Sequence, residues 1–314
     1  MKSPPVFGRM SRQMVQSGTA ITVEARAKVN LTLEILGKRP DGYHELRSVV
    51  VPVSLSDSLS LACTYAQTVI TVTSEAGLDI TRLCPADKNL AFRAARLMQA
   101  RYRLKSGARI HIHKRIPIGG GLGGGSADAA GVIRGLDRLF GLNAPLAELM
   151  ELGAEVGCDV PALVHGGAVL MEGRGERISG LFGDGARAGC EGFWLVLANP
   201  GVMCSTPEIF RKWRAGLTAG RTISHNMISS IRASDVSAAA KALHNGLQTA
   251  VYESIPVISE TARLLEKAGC LGVLLSGSGA SVFGLVRDEL HGQEVSRKLD
   301  PGLWHVLVRT CPVV

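Results

Sequence analysis

The sequence predicts an α+β fold, and three observations carry that expectation. Segments with strand alternation and segments with helix spacing follow one another without the steady rhythm of a doubly wound sheet. The 314 residues are 46% hydrophobic and 20% charged, an ordinary globular composition with length for one large or two moderate domains. Six glycines fall within Gly119 to Gly125, between one clear strand and one clear helix.

The elements follow in order. Ala20 to Ala25 and Val29 to Leu36 read as strands, the second alternating through Val29, Leu31, Leu33 and Ile35. Lys38-Arg39-Pro40-Asp41-Gly42 is a turn by its chemistry. Further strands are expected at Leu46 to Val53, Asp57 to Thr64 and Thr68 to Thr73, then a helix over Asn89 to Tyr102. Ile110 and Ile112 alternate with His111 and His113, as in a half-buried strand. After the glycines, Ala129, Val132, Ile133, Leu136, Leu139 and Phe140 keep helix spacing, and Gly141 supplies a left-handed stop. Leu146 to Val156 is a second helix, with Pro145 near its start and Gly157 past its end. Strands are expected at Ala168 to Glu172, Phe193 to Ala198, Val273 to Leu275, Val282 to Val286 and Trp304 to Val308. Helices are expected at Val236 to Leu247 and Val257 to Ala268. The glycine-rich, weakly periodic stretch from Glu172 to Gly192 marks a junction, dividing the chain into residues 19–172 and 173–314. Residues 1–18 carry Lys2, Arg9 and Arg12 without an apolar core, and are expected to be a disordered extension.

Composition removes several classes of function. No window approaches 18 uninterrupted apolar residues, so no membrane span is expected. The seven cysteines are odd in number, scattered and free of C-x-x-C pairs, which argues for free thiols in a reducing, cytoplasmic setting. A net charge of +8 suits an anionic ligand. Without a dense basic run, and with only 4% aromatic residues, it does not point to nucleic acid. The expected partner is a small molecule, with no membrane and no obligatory protein partner.

Chemistry concentrates in Lys114 to Gly131, KRIPIGGGLGGGSADAAG. Backbone N–H groups of such a loop, and the positive end of the following helix, form a phosphate site. Glycine admits close approach and positive φ. The dinucleotide pattern fits poorly, because the lead-in is basic and amphipathic and Pro117 interrupts it. The P-loop pattern fails because no Gly-Lys-Ser/Thr follows. A phosphate loop of a third type remains. Four weaker constellations accompany it. Lys28 and Asn30 share one face of a strand, which alone reads as a solvated face. Tyr43-His44 pairs a stacking ring with an imidazole. Asp159 stands between a helix end and Pro161, where a turn-forming role is the simpler reading. Ser276 to Ser281 is either a tight hairpin or a second loop pressed against a ligand.

Taken in order, these stretches resemble the GHMP kinase superfamily. They are Ala25-Arg26-Ala27-Lys28-Val29-Asn30-Leu31, Arg39-Pro40-Asp41-Gly42-Tyr43-His44, Lys88-Asn89-Leu90, Lys114 to Pro117 with the loop, Gly157-Cys158-Asp159-Val160-Pro161, Asn199-Pro200-Gly201, and Ser276-Gly277-Ser278-Gly279-Ala280. Asp-Gly-Tyr-His separates the chain from mevalonate, homoserine and galactose kinase relatives. The resemblance implies a two-domain GHMP kinase fold, α+β, with the active site in the interdomain cleft. It implies phosphorylation by ATP of the 2-hydroxyl of 4-diphosphocytidyl-2-C-methyl-D-erythritol, in non-mevalonate isoprenoid biosynthesis. Carried over, Asp159 is the catalytic base and Lys28 its charged partner. Asn30 positions the methylerythritol diphosphate, while Tyr43, His44 and Lys114 hold the cytidine side. Pro117, Gly119, Gly120, Gly121, Gly123, Gly124, Gly125 and Ser126 wrap the ATP phosphates, and Asn89 meets the adenine. Mg2+ accompanies ATP, and Ser126 is one candidate donor. Relatives often carry proline at Arg26 and histidine at Asn199. They carry asparagine or aspartate at Asp128, where a carboxylate repels ATP unless it points away or reaches the metal.

Overall fold

In the computed structural model, strand pairing runs on through both expected breaks, so each expected pair of strands is one long strand: β1 (Ala20–Lys38) and β2 (His44–Thr64). The middle of β1 had looked like a break because its alternation is lost there. Ala27 to Leu31 are buried on both faces, and the β1–β2 register shifts between Arg26 and Lys28 and between Asn30 and Thr32. The structure describes residues 20–75, 78, 88–182, 191–213 and 223–312; the expected extension, residues 1–18, lies outside them.

β1 and β2 are antiparallel, joined by a turn in which the Arg39 N–H donates to the Tyr43 carbonyl over 2.8 Å. β4 (Gly107–Lys114) adds antiparallel to β2, and β3 (Val69–Ser74) adds parallel to β4. β5 (Val169–Gly173) pairs with the start of β2 and forms a hairpin with β6 (Arg177–Gly180). β8 (His244–Asn245) joins the other edge, parallel to β1 at Thr32 and Leu33. Four further strands, β7 (Trp194–Asn199), β9 (Gly272–Leu275), β10 (Val282–Val286) and β11 (Trp304–Arg309), make a second, antiparallel sheet in the order β11-β7-β10-β9. The residue 172/173 junction falls inside β5. Its glycines serve the β5–β6 turn, where Gly173 and Gly175 hold φ of 74° and 115°.

Helices α1 (Leu90–Arg101), α2 (Gly124–Phe140), α3 (Leu146–Val156) and α4 (Val160–His165) belong to the first half. Helices α5 (Thr206–Lys212), α6 (Ile223–Arg232), α7 (Val236–Ala242), α8 (Gln248–Ser254), α9 (Pro256–Ala268) and α10 (Glu289–Arg297) complete the described set. The helix expected to reach Leu247 stops at Ala242, because Leu243 turns extended and His244-Asn245 pair with β1. α4, α5, α6, α8 and α10 had no clear signal in the sequence. α5, for example, buries Ile209 alone and so shows no periodicity.

α2 lies directly on the sheet. A Cβ at Gly131 would stand 2.9 Å from Leu59 Cδ2, and one at Gly135 would stand 2.8 Å from Leu61 Cδ2. Two glycines one helical turn apart therefore bring the phosphate helix close to β2 and fix its height. The main core runs from this contact through Val29, Ile110, Ile133 and Leu152 to Leu195 and Phe283 of the second sheet. A separate cluster, including Ile258, Leu265 and Val282, seats α9 on the smaller sheet.

Candidate active site

The glycine loop leaves β4 and enters α2 with three left-handed residues: Gly119, Gly121 and Gly123 have φ of 70°, 75° and 71°. Close approach is the second demand. A Cβ at Gly121 would lie 2.3 Å from the Ser276 carbonyl oxygen and 2.7 Å from that of Gly279. Both readings of Ser276 to Ser281 are thus realised: it is the β9–β10 hairpin and also a loop pressed on the phosphate loop. The Ser281 N–H donates to the Gly120 carbonyl over 2.9 Å, and Ser276 Oγ donates to the Gly121 carbonyl over 3.1 Å. Asn199 serves this junction, its Nδ2 donating to Ser281 Oγ over 2.8 Å while its Oδ1 accepts from the Gly201 N–H. In the first turn of α2, the N–H groups of Gly124, Gly125 and Ser126 have no partner available within the helix, and these residues line the cavity.

Lys28 and Asn30 are not on a solvated face; they are 4% and 2% exposed. Lys28 Nζ donates to Asn30 Oδ1 over 2.7 Å and stands 3.3 Å from Asp159 Oδ2. Asp159 precedes the first turn of α4, and its side chain, which caps no N–H there, is partly exposed toward the cavity. The turn reading of Asp159 therefore describes its backbone, and the ion pair describes its carboxylate.

Tyr43 and His44 sit at the β1–β2 turn. The Arg174 guanidinium lies 4.9 Å over the Tyr43 ring. His44 packs against Phe210 and Trp213, with ring centroids 5.0 and 5.3 Å away. Burial, with Lys38 nearby, lowers the His44 pKa and favours the neutral imidazole, which can both donate and accept. The sequence reading missed Arg174, Phe210 and Trp213.

Lys114 is engaged elsewhere. Its buried ammonium donates to Asp57 and, over 2.6 Å, to Asp128 Oδ2, beneath the start of α2. Asp57 Oδ1 also accepts from the Arg115 and Ile116 N–H groups over 2.6 and 2.9 Å, so this carboxylate fixes the start of the phosphate loop. Burial opposes the charge on Lys114, but Asp128 and Asp57 outweigh it and raise its pKa. Burial, reinforced by Asp57 and opposed by Lys114, lifts Asp128 to about 7. Asp128 thus turns toward Lys114, with Oδ1 buried and unpartnered. Asp57 had a readable signal: it shares the core parity of Leu59 and Leu61. Arg26 is exposed and faces Glu24 at 3.8 Å, so the absence of proline there costs no contact in the site. Asn89 caps α1, its Oδ1 accepting from the Ala91 N–H over 2.9 Å.

All the site residues expected from the sequence line one cavity of about 1330 Å³: Lys28, Asn30, Tyr43, His44, Asn89, Lys114, Pro117, Asp159, and Gly119 to Ser126 apart from Leu122. Both halves of the chain contribute to its wall, the second through Met203, Phe210 and Gly277. Two anion-binding features, the helix terminus and Lys28, thus meet one carboxylate in one cleft, as phosphoryl transfer to a hydroxyl requires.

Comparison with known proteins agrees with this geometry. The family profile for the GHMP kinases N terminal domain matches residues 89–167, and that for GHMP kinases C terminal matches residues 227–303. A 4-diphosphocytidyl-2-C-methyl-D-erythritol kinase of Brevibacillus brevis is 39% identical over 86% of this chain and 88% of its own. The enzyme of the same name from Pelotomaculum thermopropionicum is 38% identical over 88% and 93%. A crystal structure of 4-(cytidine 5'-diphospho)-2C-methyl-D-erythritol kinase superposes with a TM-score of 0.75 at 28% identity, covering 93% of this chain and 99% of that one. A homoserine kinase from Cytophaga hutchinsonii shares the fold at a TM-score of 0.69 and 17% identity, over 97% of this chain and 99% of its own. The chain therefore belongs to the GHMP kinase superfamily and, within it, to the 4-diphosphocytidyl-2-C-methyl-D-erythritol kinase family, phosphotransferases that act on a hydroxyl group.

Proposed function

We propose that the protein transfers the γ-phosphoryl group of ATP to the 2-hydroxyl of 4-diphosphocytidyl-2-C-methyl-D-erythritol. The observation that carries this reading is the 3.3 Å Lys28–Asp159 pair, in the same cavity as the glycine loop and the Tyr43-His44 pair. Asp159 accepts the hydroxyl proton as the oxygen attacks phosphorus and the bond to ADP breaks. Lys28 pairs with Asp159 over 3.3 Å and offsets charge gathering on the transferred group. Asn30 aligns Lys28 and the polyol diphosphate. Tyr43 stacks on the cytosine and His44 hydrogen-bonds to it, with Arg174, Phe210 and Trp213 completing that wall. Gly119 to Ser126, with Pro117, enclose the ATP phosphates. Asn89, whose Oδ1 is already used as a cap, offers its amide N–H groups to adenine. Lys114 lines the same cavity and adds positive charge on the cytidine side.

The oxygen donors lining the cavity suit Mg2+, which is held by few protein ligands together with substrate phosphates. Ser126 would hold it through Oγ. When bound, it neutralises phosphate charge. The scattered thiols support a cytoplasmic enzyme.

The test is ADP release with ATP, Mg2+ and the cytidyl substrate, beside mevalonate and homoserine. Turnover with the cytidyl substrate alone is expected. Turnover only with a control would overturn the assignment of Tyr43 and His44.

A further inference from the structure

A second group of imidazoles lies away from the cleft. On β4, Ile110 and Ile112 face Leu61 and Leu59 and the side covered by α2, so His111 and His113 fall on the opposite face of the sheet. They are two residues apart on one face, separated by two strand steps, about 6.6 Å. Thr71 and Thr73 of β3 stand beside them, and Ser60 and Ser58 of β2 on the other side.

The ring geometry is specific. His111 Nε2 and His113 Nδ1 each lie 3.1 Å from one oxygen, Thr73 Oγ1. The two nitrogens are therefore within about 6 Å of each other, facing a common point. The Thr73 hydroxyl can donate its single hydrogen to one of these nitrogens and accept an N–H from the other. A metal ion can take a lone pair from each, at about 2.0–2.1 Å. His111 Nδ1 lies 2.9 Å from Thr71 Oγ1. When Thr71 accepts the Nδ1 hydrogen, His111 is held with its Nε2 lone pair directed at the Thr73 side, the arrangement that orients metal-binding histidines.

We propose that His111 and His113 chelate a divalent transition-metal ion of the imidazole-preferring class, Zn2+, Ni2+ or Cu2+, on the outer face of β4, with Thr71 orienting His111. Among the described residues no group of three or more His, Cys, Asp or Glu side chains gathers as a metal site. The remaining positions therefore fall to water and to the flanking Thr73 hydroxyl, which leaves the ion open and the site weaker than a four-ligand structural centre. Mg2+ and Ca2+, which prefer oxygen, are not ligands of this site.

The experiment titrates untagged protein with Zn2+ and with Ni2+ by calorimetry, without nucleotide, and compares wild type with His111→Gln, His113→Gln, the double variant and Thr71→Val. One ion per chain is expected, with affinity falling at least ~10-fold in either single histidine variant and about 10-fold in Thr71→Val. Excess Mg2+ should not compete. None of these positions lines the catalytic cavity, so kinase rate and melting temperature, which report folding, should match wild type in every variant. No binding by wild type would overturn the site, as would undiminished binding by the double variant. Equal affinity in wild type and a single histidine variant would overturn chelation by the pair.

Discussion

Lys28 can align with Asp159 only if the Asn30 amide presents its oxygen, and a serine on the neighbouring strand β2 decides that. Ser48 Oγ donates its single hydrogen to the Thr32 carbonyl over 2.6 Å, so toward Asn30 it can only accept. It accepts from Asn30 Nδ2 over 2.8 Å, which turns Oδ1 to Lys28. Ser48→Ala leaves that amide hydrogen buried and unpaired and frees the group to flip. We expect kcat to fall about 10-fold or more, with both KM values near wild type, since misalignment costs rate rather than binding. Unchanged kcat with raised KM would show that Ser48 acts on binding alone. Asp159→Ala should lower kcat by ~10²–10⁴-fold while the melting temperature stays within a few degrees; a near-wild-type rate would remove it from proton transfer. At this scale Lys28, Asn30 and Asp159 were legible because they sit in motifs with fixed neighbours. Ser48 was not, because nothing in a strand sequence distinguishes one serine facing a buried amide from another.

Between elements, the cleft is set by two contacts that an added side chain would disturb differently. Gly121→Ala places Cβ 2.3 Å from backbone at a φ of 75°, and neither the Ser276 loop nor the phosphate loop can yield cheaply. The expected outcome is a rise of at least ~10-fold in KM for ATP, measured by initial rates, through loss of loop geometry. Gly131→Leu instead overfills the α2–β2 contact, and should cost about 1–3 kcal/mol in denaturant unfolding with little change in either KM. The opposite pattern, a KM effect at Gly131 and a pure stability effect at Gly121, would break this division of roles. The turn carrying Tyr43 was readable from Pro-Asp-Gly chemistry, and the glycine loop from its density. The wall opposite was not: α5 buries only Ile209, and Phe210 and Trp213 reach His44 through the tertiary fold. Tyr43→Ala should raise KM for the cytidyl substrate by ~10–100-fold and leave that for ATP unchanged, the scale of one lost base stack.

Across the whole molecule, strand β2, strand β4 and helix α2 are tied under the phosphate loop by Asp57, Lys114 and Asp128, and this tie carries a pH dependence. Alternation shows which strands exist, but the pairing of β4 beside β2 is non-local, so the triad appears only when the sheet is assembled. Two carboxylates share one ammonium here, and burial first, then Asp57, lift Asp128 to about 7 against the pull of Lys114. In the unfolded chain the same carboxyl titrates near 4. Between about pH 4 and pH 7 the folded protein therefore binds a proton at Asp128 that the unfolded chain has lost, and stability contributed by that protonated group declines as pH rises through this window. Asp128→Asn keeps the shape and cannot ionise. Unfolding free energies by denaturant at pH 5 and pH 8 should show wild type losing stability relative to the asparagine variant as pH increases. A difference that stays constant between the two pH values would mean that Asp128 keeps its charge under the loop throughout, held by Lys114 alone.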